Sequence, residues 1–446
     1  MTMTRRQILT RTSTLGAFAL LGGPDLLTPT RQAFAAQPDV FGYGDLVADP
    51  AGLLDLPRGF SYRLLSRTGD PMTGGSRVPG GHDGMAAFPG RDGEVVLVRN
   101  HELSPDSANG VTGVTPYDPR CKGGTTNVVV TDDGTVLAEY ASLAGTFRNC
   151  AGGPTPWNTR LTCEENESHP LTSVAVSKPH GYVFEVDPYA PPAAPPVPLT
   201  AMGRFAHEAV ALDPTTGTVY ETEDASGPAG CFYRFRPWQP LGGPGSLAVG
   251  GVLEVMRVAD APADLSLVGT VGTTFADVHW DAIPVPDYDP AHPDLVGRTR
   301  VRQQTANPTR IPKGEGTYWG DGGVYFVSSF AKPRHEGQVW RYEPASNTLT
   351  LVLHIAPGGT FDGPDNAILS PYGGMFLCED GDGTNYVVGA DEAGNLYPFA
   401  RNVADDGEFA GATFSPNGRT MYVNVQSIGM YAINGPWSSR SRIRRN

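Results

Sequence analysis

One unit recurs along this chain and restricts its fold more than any other feature. A residue of metal-ligand type is followed by a short strand, a turn rich in glycine and a second apolar strand. The unit reads Cys150 in NCAGGPTPWNTRLTCEE, Glu208 in FAHEAVALDPTTGTVYETED, Glu315 in KGEGTYWGDGGVYFVSSF and Asp365 in GPDNAILSPYGGMFLCED. The step into the second strand is nearly constant: 11 residues from Cys150 to Leu161, 12 from Glu208 to Tyr220, 10 from Glu315 to Tyr325 and 11 from Asp365 to Phe376. Altered copies surround Asp83 in HDGMAAFPGRDGEVVLVRNHE and start at Gly411 in GATFSPNGRTMYVNVQ. If each copy is one blade of a radial sheet array, the ligand-type residues meet at one end of a central channel.

The six positions 83, 150, 208, 315, 365 and 411 are separated by 67, 58, 107, 50 and 46 residues. A propeller blade takes about 40–50 residues, so the expected architecture is an all-β, six-bladed β-propeller over 36–446, with insertions in the early blades. The 107-residue gap contains GGPGSLAVGGVLEVM and a stretch rich in Asp and Pro from Asp277 to Pro308. Residues 236–310 read as an inserted loop or flap near the channel mouth, with a seventh blade as the competing account. Glycine (56 residues) and proline (41) fall between short apolar runs, which favours turns over disorder. TTNVVVTDDGTVLAEY predicts a hairpin around an Asp-Gly turn, and GYVFEVDP, GCFYRFRP and GQVWRYEP predict outer strands that end blades.

Residues 1–35 read as an export signal. Arg5 and Arg6 form a twin-arginine pair, Leu15 to Leu21 is apolar, and Ala33-Phe34-Ala35 is a small-x-small cleavage site. The apolar run is less than half of the about 20 residues that span a bilayer, so no membrane span is expected. Export by the twin-arginine route to the periplasm or beyond is the predicted localisation. Cleavage removes four arginines and one aspartate, moving the net charge from −14 to −17. So acidic a surface argues against a nucleic-acid partner, and a monomer is expected.

Five cysteines (121, 150, 163, 231 and 378) leave at least one unpaired. Cys150 holds a ligand position in the repeat, whereas Cys163 and Cys378 precede acidic pairs and either pair or pack as small hydrophobes. Second strands end in His101-Glu102, Glu164-Glu165, Glu223-Asp224 and Glu379-Asp380. In a blade the first strand starts, and the second ends, at the same face, so these acids crowd the ligand ring. Like charges packed that closely require cations. Calcium suits the carboxylates and the Asn366 carbonyl, while a thiolate calls for a transition metal.

At these residues the chain resembles the PhoX-type alkaline phosphatases, bacterial enzymes exported by the twin-arginine route. The shared stretches are LPRGFSYRLLSRTGDPM, HDGMAAF, RNHE, NCAGGPTPWNTRLTCEE, GRFAHE, GEG and GPDN, across nearly the whole mature chain. The resemblance implies a six-bladed propeller with two ferric ions, Fe(III), and two or three calcium ions, Ca(II). It makes Cys150 the bridging thiolate and assigns Glu208, Glu315 and Asp365 to iron, calcium or both. Glu165 and Asn366 become calcium ligands, with Glu164 the other candidate from TCEE. Lys313 stands where many members carry arginine and is the implied phosphate-binding cation, with Arg148 and Arg204 as further candidates. The implied function is a secreted phosphatase acting on phosphate monoesters, and possible diesters, through a metal-activated oxygen nucleophile. GxSxG is absent, which argues against a serine nucleophile. Two other classes fit the repeats: a calcium-dependent propeller lactonase or esterase, and a non-catalytic exported propeller stabilised by calcium.

Overall fold

In the computed structural model the described residues are 42–190, 195–291, 300–330 and 336–438. The predicted export signal lies outside them. Phe41–Asn446 forms one compact unit, and its described residues contain strands and short 3₁₀ turns but no α-helix.

Six antiparallel sheets make six blades. Their innermost strands are His82–Pro89, Asn149–Pro154, His207–Leu212, Gly314–Gly320, Pro364–Leu369 and Phe409–Phe414, in blades 1 to 6. Each inner strand packs against the next, and the sixth returns to the first, which closes the ring. Closure is also made by hydrogen bonds: Ser61–Arg67, from the start of the unit, is the outer strand of blade 6 and pairs with Gly429–Asn434. The N-terminal segments Leu46–Val47 and Leu54–Pro57 extend blade 5.

Propeller strands are buried on both faces, so alternate residues fill the two wedges beside each blade. In Val95–His101, Val96 and Val98 pack toward blade 2 with Tyr182 and Phe184, while Val95 and Leu97 pack toward blade 6 with Tyr422 and Met430. Four further apolar clusters fill the other wedges. This two-sided burial explains runs such as VVLV and FYRF, which show no polar alternation.

Two expectations are corrected. The described part of 236–310 is not simply an inserted loop or flap, and it adds no seventh blade: Gly251–Val258 and Val278–Ala282 are the fourth and fifth strands of blade 3, and Thr274–Phe275 joins the edge of blade 4. The aromatic-x-aromatic strands are third strands, and only in blade 2 is that strand, Val183–Val186, outermost. In blades 3 and 4 further strands cover them, because alternating side chains on their partners still offer apolar surface. The Asp-Gly hairpin forms as expected between Gly123–Val130 and Val136–Thr146. All five cysteines are buried and free, so Cys163 and Cys378 pack as small hydrophobes.

Candidate metal centre

The repeat has a backbone cause. In every blade the register between the first two strands slips at the same place: between His82 and Met85, Asn149 and Gly152, His207 and Val210, Gly314 and Thr317, Pro364 and Ala367, and Ala410 and Thr413. Each slip is a β-bulge, which re-aims a side chain that regular pleating would send elsewhere. The first bulge residues are Asp83, Cys150, Glu208, Glu315, Asp365 and Gly411. The second are small or polar. A Cβ on Gly84 would lie 2.5 Å from the Ala151 Cα, and one on Gly316 would lie 2.8 Å from the Asn366 Cα. Neighbouring inner strands approach that closely only because these residues lack side chains.

Three groups of donors result, each with ligand atoms within 4.8 Å of one another: Cys150, Glu165 and Glu208; Glu208, Glu315 and Asp365; and Asp83, Glu102 and Glu408. Glu208 belongs to two of them. Above the ring, Arg148 donates from Nε to Glu102 (2.7 Å) and from Nη2 to Glu165 (2.8 Å). Gln426 donates to Glu102 at 2.8 Å and also to Glu408. The Lys313 ammonium lies 2.9 Å from Glu315 and 3.9 Å from Asp224, and its side chain is partly exposed at the mouth.

The electrostatics are those of an incomplete site. Burial raises the carboxyl pKa values of Asp83, Glu165, Glu208, Glu315 and Glu408 well above the usual range, and neighbouring acids add to the effect. Asp365 is pushed up to about 8 by burial and then by Asp380. Burial, followed by Glu208 and Glu165, likewise raises the Cys150 thiol. The Lys313 pKa is raised as well, by the Glu315 carboxylate, which holds the ammonium charged. Arg148 is held charged by Glu165 and Glu102 against the cost of its burial. Among the described residues the Glu208 carboxylate accepts no hydrogen bond, although Glu208 is only 3% exposed. The site thus holds more buried acid than the protein's own cations balance. Hard carboxylates beside one thiol fit a mixed set of cations.

The structure brings together Cys150, Glu165, Glu208, Glu315, Asp365, Lys313 and Arg148, and it turns two other candidates away. Glu164 is fully buried on the opposite side of its strand from Glu165, as strand alternation requires. It accepts hydrogen bonds from the backbone of Phe147, Gly181 and Tyr182 and from the His180 ring at 2.6 Å. Arg204 lies over the Tyr288 ring at 4.0 Å and donates to the Tyr288 and Glu167 carbonyls, so it anchors the blade 3 insertion. Asn366, the second bulge residue, spends its side-chain oxygen on the Gly411 amide and lines the channel beneath the ring. Sequence reasoning missed Glu408. Its signal was a carboxylate three residues ahead of the one copy whose ligand position is glycine. Asp83 was visible only as an altered copy.

The sequence family described as alkaline phosphatase PhoX matches residues 41–138 and 134–429. The chain belongs to the PhoX family of alkaline phosphatases. That membership makes it a phosphate hydrolase and removes the non-catalytic reading. PhoX of Pseudomonas fluorescens, solved with the transition-state analogue vanadate, shares the fold at 19% identity, with a TM-score of 0.66 over 88% of this chain and 97% of that one. A gluconolactonase from Xanthomonas campestris aligns at 11% identity over 88% of this chain and 100% of that one, with a TM-score of 0.40. No curated protein matches the sequence. No helix among the described residues is long and apolar enough to cross a membrane.

Proposed function

We propose that this PhoX-family protein hydrolyses phosphate monoesters at the ringed end of its channel, with iron held at the thiol-bearing group and calcium at the carboxylate groups. The observation that carries this reading is the overlap of donor groups: Glu208 is shared between one that contains Cys150 and one that contains only carboxylates. Calcium alone leaves the thiol without a role, which disfavours a calcium-dependent lactonase. Cys150, Glu165 and Glu208 would hold iron, and Glu208, Glu315 and Asp365 the adjoining ion. Asp83, Glu102 and Glu408 would hold a further calcium.

Bound cations neutralise phosphoryl oxygens and lower the pKa of water, the two needs of phosphoester cleavage. The chain's own part is to place and hold groups around them. Lys313 reaches the mouth with a charge fixed by Glu315 and a partly exposed side chain, so its ammonium binds a phosphoryl oxygen as a point charge. Arg148 is occupied by Glu102 and Glu165; it positions those carboxylates rather than the substrate. Vanadate bound to the Pseudomonas fluorescens protein supports a phosphoryl transition state as the species that this kind of site recognises.

Assays of an aryl phosphate monoester, a bis-aryl phosphate diester and a lactone on one preparation test the reading, together with its iron and calcium content. Monoester turnover by iron-containing protein is expected; lactone turnover by iron-free protein would overturn it. Export by the twin-arginine route remains part of the proposal. Replacing Arg5 and Arg6 with lysine should hold uncleaved precursor in the cytoplasm, and normal secretion of that variant would reject it.

A further inference from the structure

The central channel does not end at the ring. Beyond the bulges it widens into a cavity of about 570 Å³ that runs to the opposite face. Its ceiling is the small residues beside the ligands, among them Gly84, Ala151, Ala209 and Gly316, and its outer mouth is formed by the turns around Asp321 and Asn417. None of the five ligand-type side chains of the ring lines it.

Arg160 does line it. This residue opens the second strand of blade 2, opposite Pro154, and is 2% exposed. Its Nε has no hydrogen-bond partner, and among the described residues no carboxylate forms an ion pair with it. Burial lowers its pKa only to about 10, so the guanidinium is charged at neutral pH. Two other buried arginines are met by a carboxylate, Arg99 by Glu139 at 2.6 Å and Arg302 by Glu223, and Arg204 is met by two backbone carbonyls and the Tyr288 ring. The one acidic residue lining the cavity, Asp321, is exposed in the turn at the far mouth.

A buried charge without a partner is costly even after the surroundings relax. A cavity open to solvent supplies a remedy, since a counter-ion can enter. The planar guanidinium presents paired N–H donors that match two oxygens of a tetrahedral oxyanion. We propose that Arg160 forms a second anion site, separate from the metal centre, which takes a phosphate-sized inorganic oxyanion through the face opposite the ring.

Inorganic phosphate binding to the metal-loaded enzyme, followed by equilibrium dialysis, tests this. The wild type should bind one phosphate beyond that held at the metal centre. Arg160→Met should lose that extra phosphate while keeping its iron, its calcium and its turnover. Lys313→Ala should weaken only the other site. Arg160→Lys, a milder change, should weaken the extra site about tenfold through loss of the fork. Tungstate soaked into crystals of the wild type gives a readout that needs no variant: an anomalous peak is expected in the cavity, with tungstate oxygens about 2.7–3.2 Å from the guanidinium nitrogens. A single phosphate that is lost in Lys313→Ala and unaffected by Arg160→Met would overturn the proposal. So would the absence of a tungstate peak, or joint loss of metal and phosphate in Arg160→Met, which would make the guanidinium a counter-charge for the ring. If the protein binds this phosphate but cleaves no phosphoester, the functional reading fails and the anion site stands.

Discussion

Two buried acidic clusters lie at the same end of blade 2, and they handle charge in opposite ways. Around His180, each carboxylate is met by the protein's own donors. Glu164 receives three backbone N–H groups and a ring nitrogen, and Asp118 receives the amides of Arg120, Ser177 and Lys178 together with the Ser177 hydroxyl. Those bonds hold Asp118 down at about 2 despite its burial, and Glu164 raises His180 to about 10 against burial. One residue further along the strand, Glu165 enters the ring, where burial and Asp224 push its carboxyl up. The first cluster is complete as folded. The second is built for something brought from outside. Acidic residues alone do not distinguish them; the supply of N–H donors does.

Cysteine gives the largest expected contrast. Cys150 sits in the ring and Cys121 lies 3.4 Å from the His180 ring. Cys150→Ser should remove iron and lower kcat/KM by more than about 100-fold, beyond what loss of a supporting partner typically costs. Cys121→Ser should keep iron content and kcat/KM within about twofold. Equal losses in the two variants would erase the distinction.

The adjacent glutamates should separate stability from activity. Glu164→Gln leaves His180 partly unpaired and should destabilise the fold by about 3–5 kcal/mol, the usual cost of breaking a buried pair, while folded molecules keep their metals. Glu165→Gln should lower metal content and leave the melting temperature of the metal-free protein unchanged or raised. Thermal melts with metal analysis on the same samples decide between them.

Acidity offers a third contrast. In metal-free protein Asp365 titrates near 8, above its unfolded value of 3.8. A raised carboxyl pKa stabilises the fold fully below the unfolded value and loses that support as pH rises through the folded one. Metal-free protein should therefore melt progressively lower from about pH 4 to pH 8, and the metal-loaded form should lose much less. His180 adds a separate decline above its unfolded value of 6.5, complete near 10, which His180→Gln should remove. A metal-free melting temperature independent of pH would contradict the account of the ring.

The smallest effect is expected at the mouth. Lys313→Ala should raise KM and lower kcat together, by about tenfold in kcat/KM, equivalent to about 1.4 kcal/mol. Lys313→Arg should retain activity, and phosphate should inhibit the wild type more strongly than the alanine variant.

Much of this arrangement was legible because the bulge repeats. Cys150, Glu208, Glu315 and Asp365 share one slip in register, and a constant step to the second strand exposes it. Where blades depart from the pattern, legibility fails for physical reasons. TCEE shows that two successive acids face opposite ways, but only the register with Asn149 tells which one faces the ring. Glu408 lies outside the repeat position because Gly411, at φ +64, packs where a Cβ would come within 2.5 Å of the Asp83 carbonyl. Arg204 is close to Glu208 in sequence, yet it precedes the bulge and turns toward Tyr288 of the insertion. The closing strand Ser61–Arg67 pairs across more than 360 residues of chain, a distance at which local pattern carries no information.

On the proposed function, a thiolate-bound transition metal together with calcium completes the ring. Metal content per chain tests it most directly, measured on wild type, Cys150→Ser and Cys121→Ser purified alongside one another. Iron and calcium are expected in the wild type and in Cys121→Ser, with iron lost in Cys150→Ser. Wild-type protein that is fully active and free of iron, or Cys150→Ser that retains iron, would contradict it.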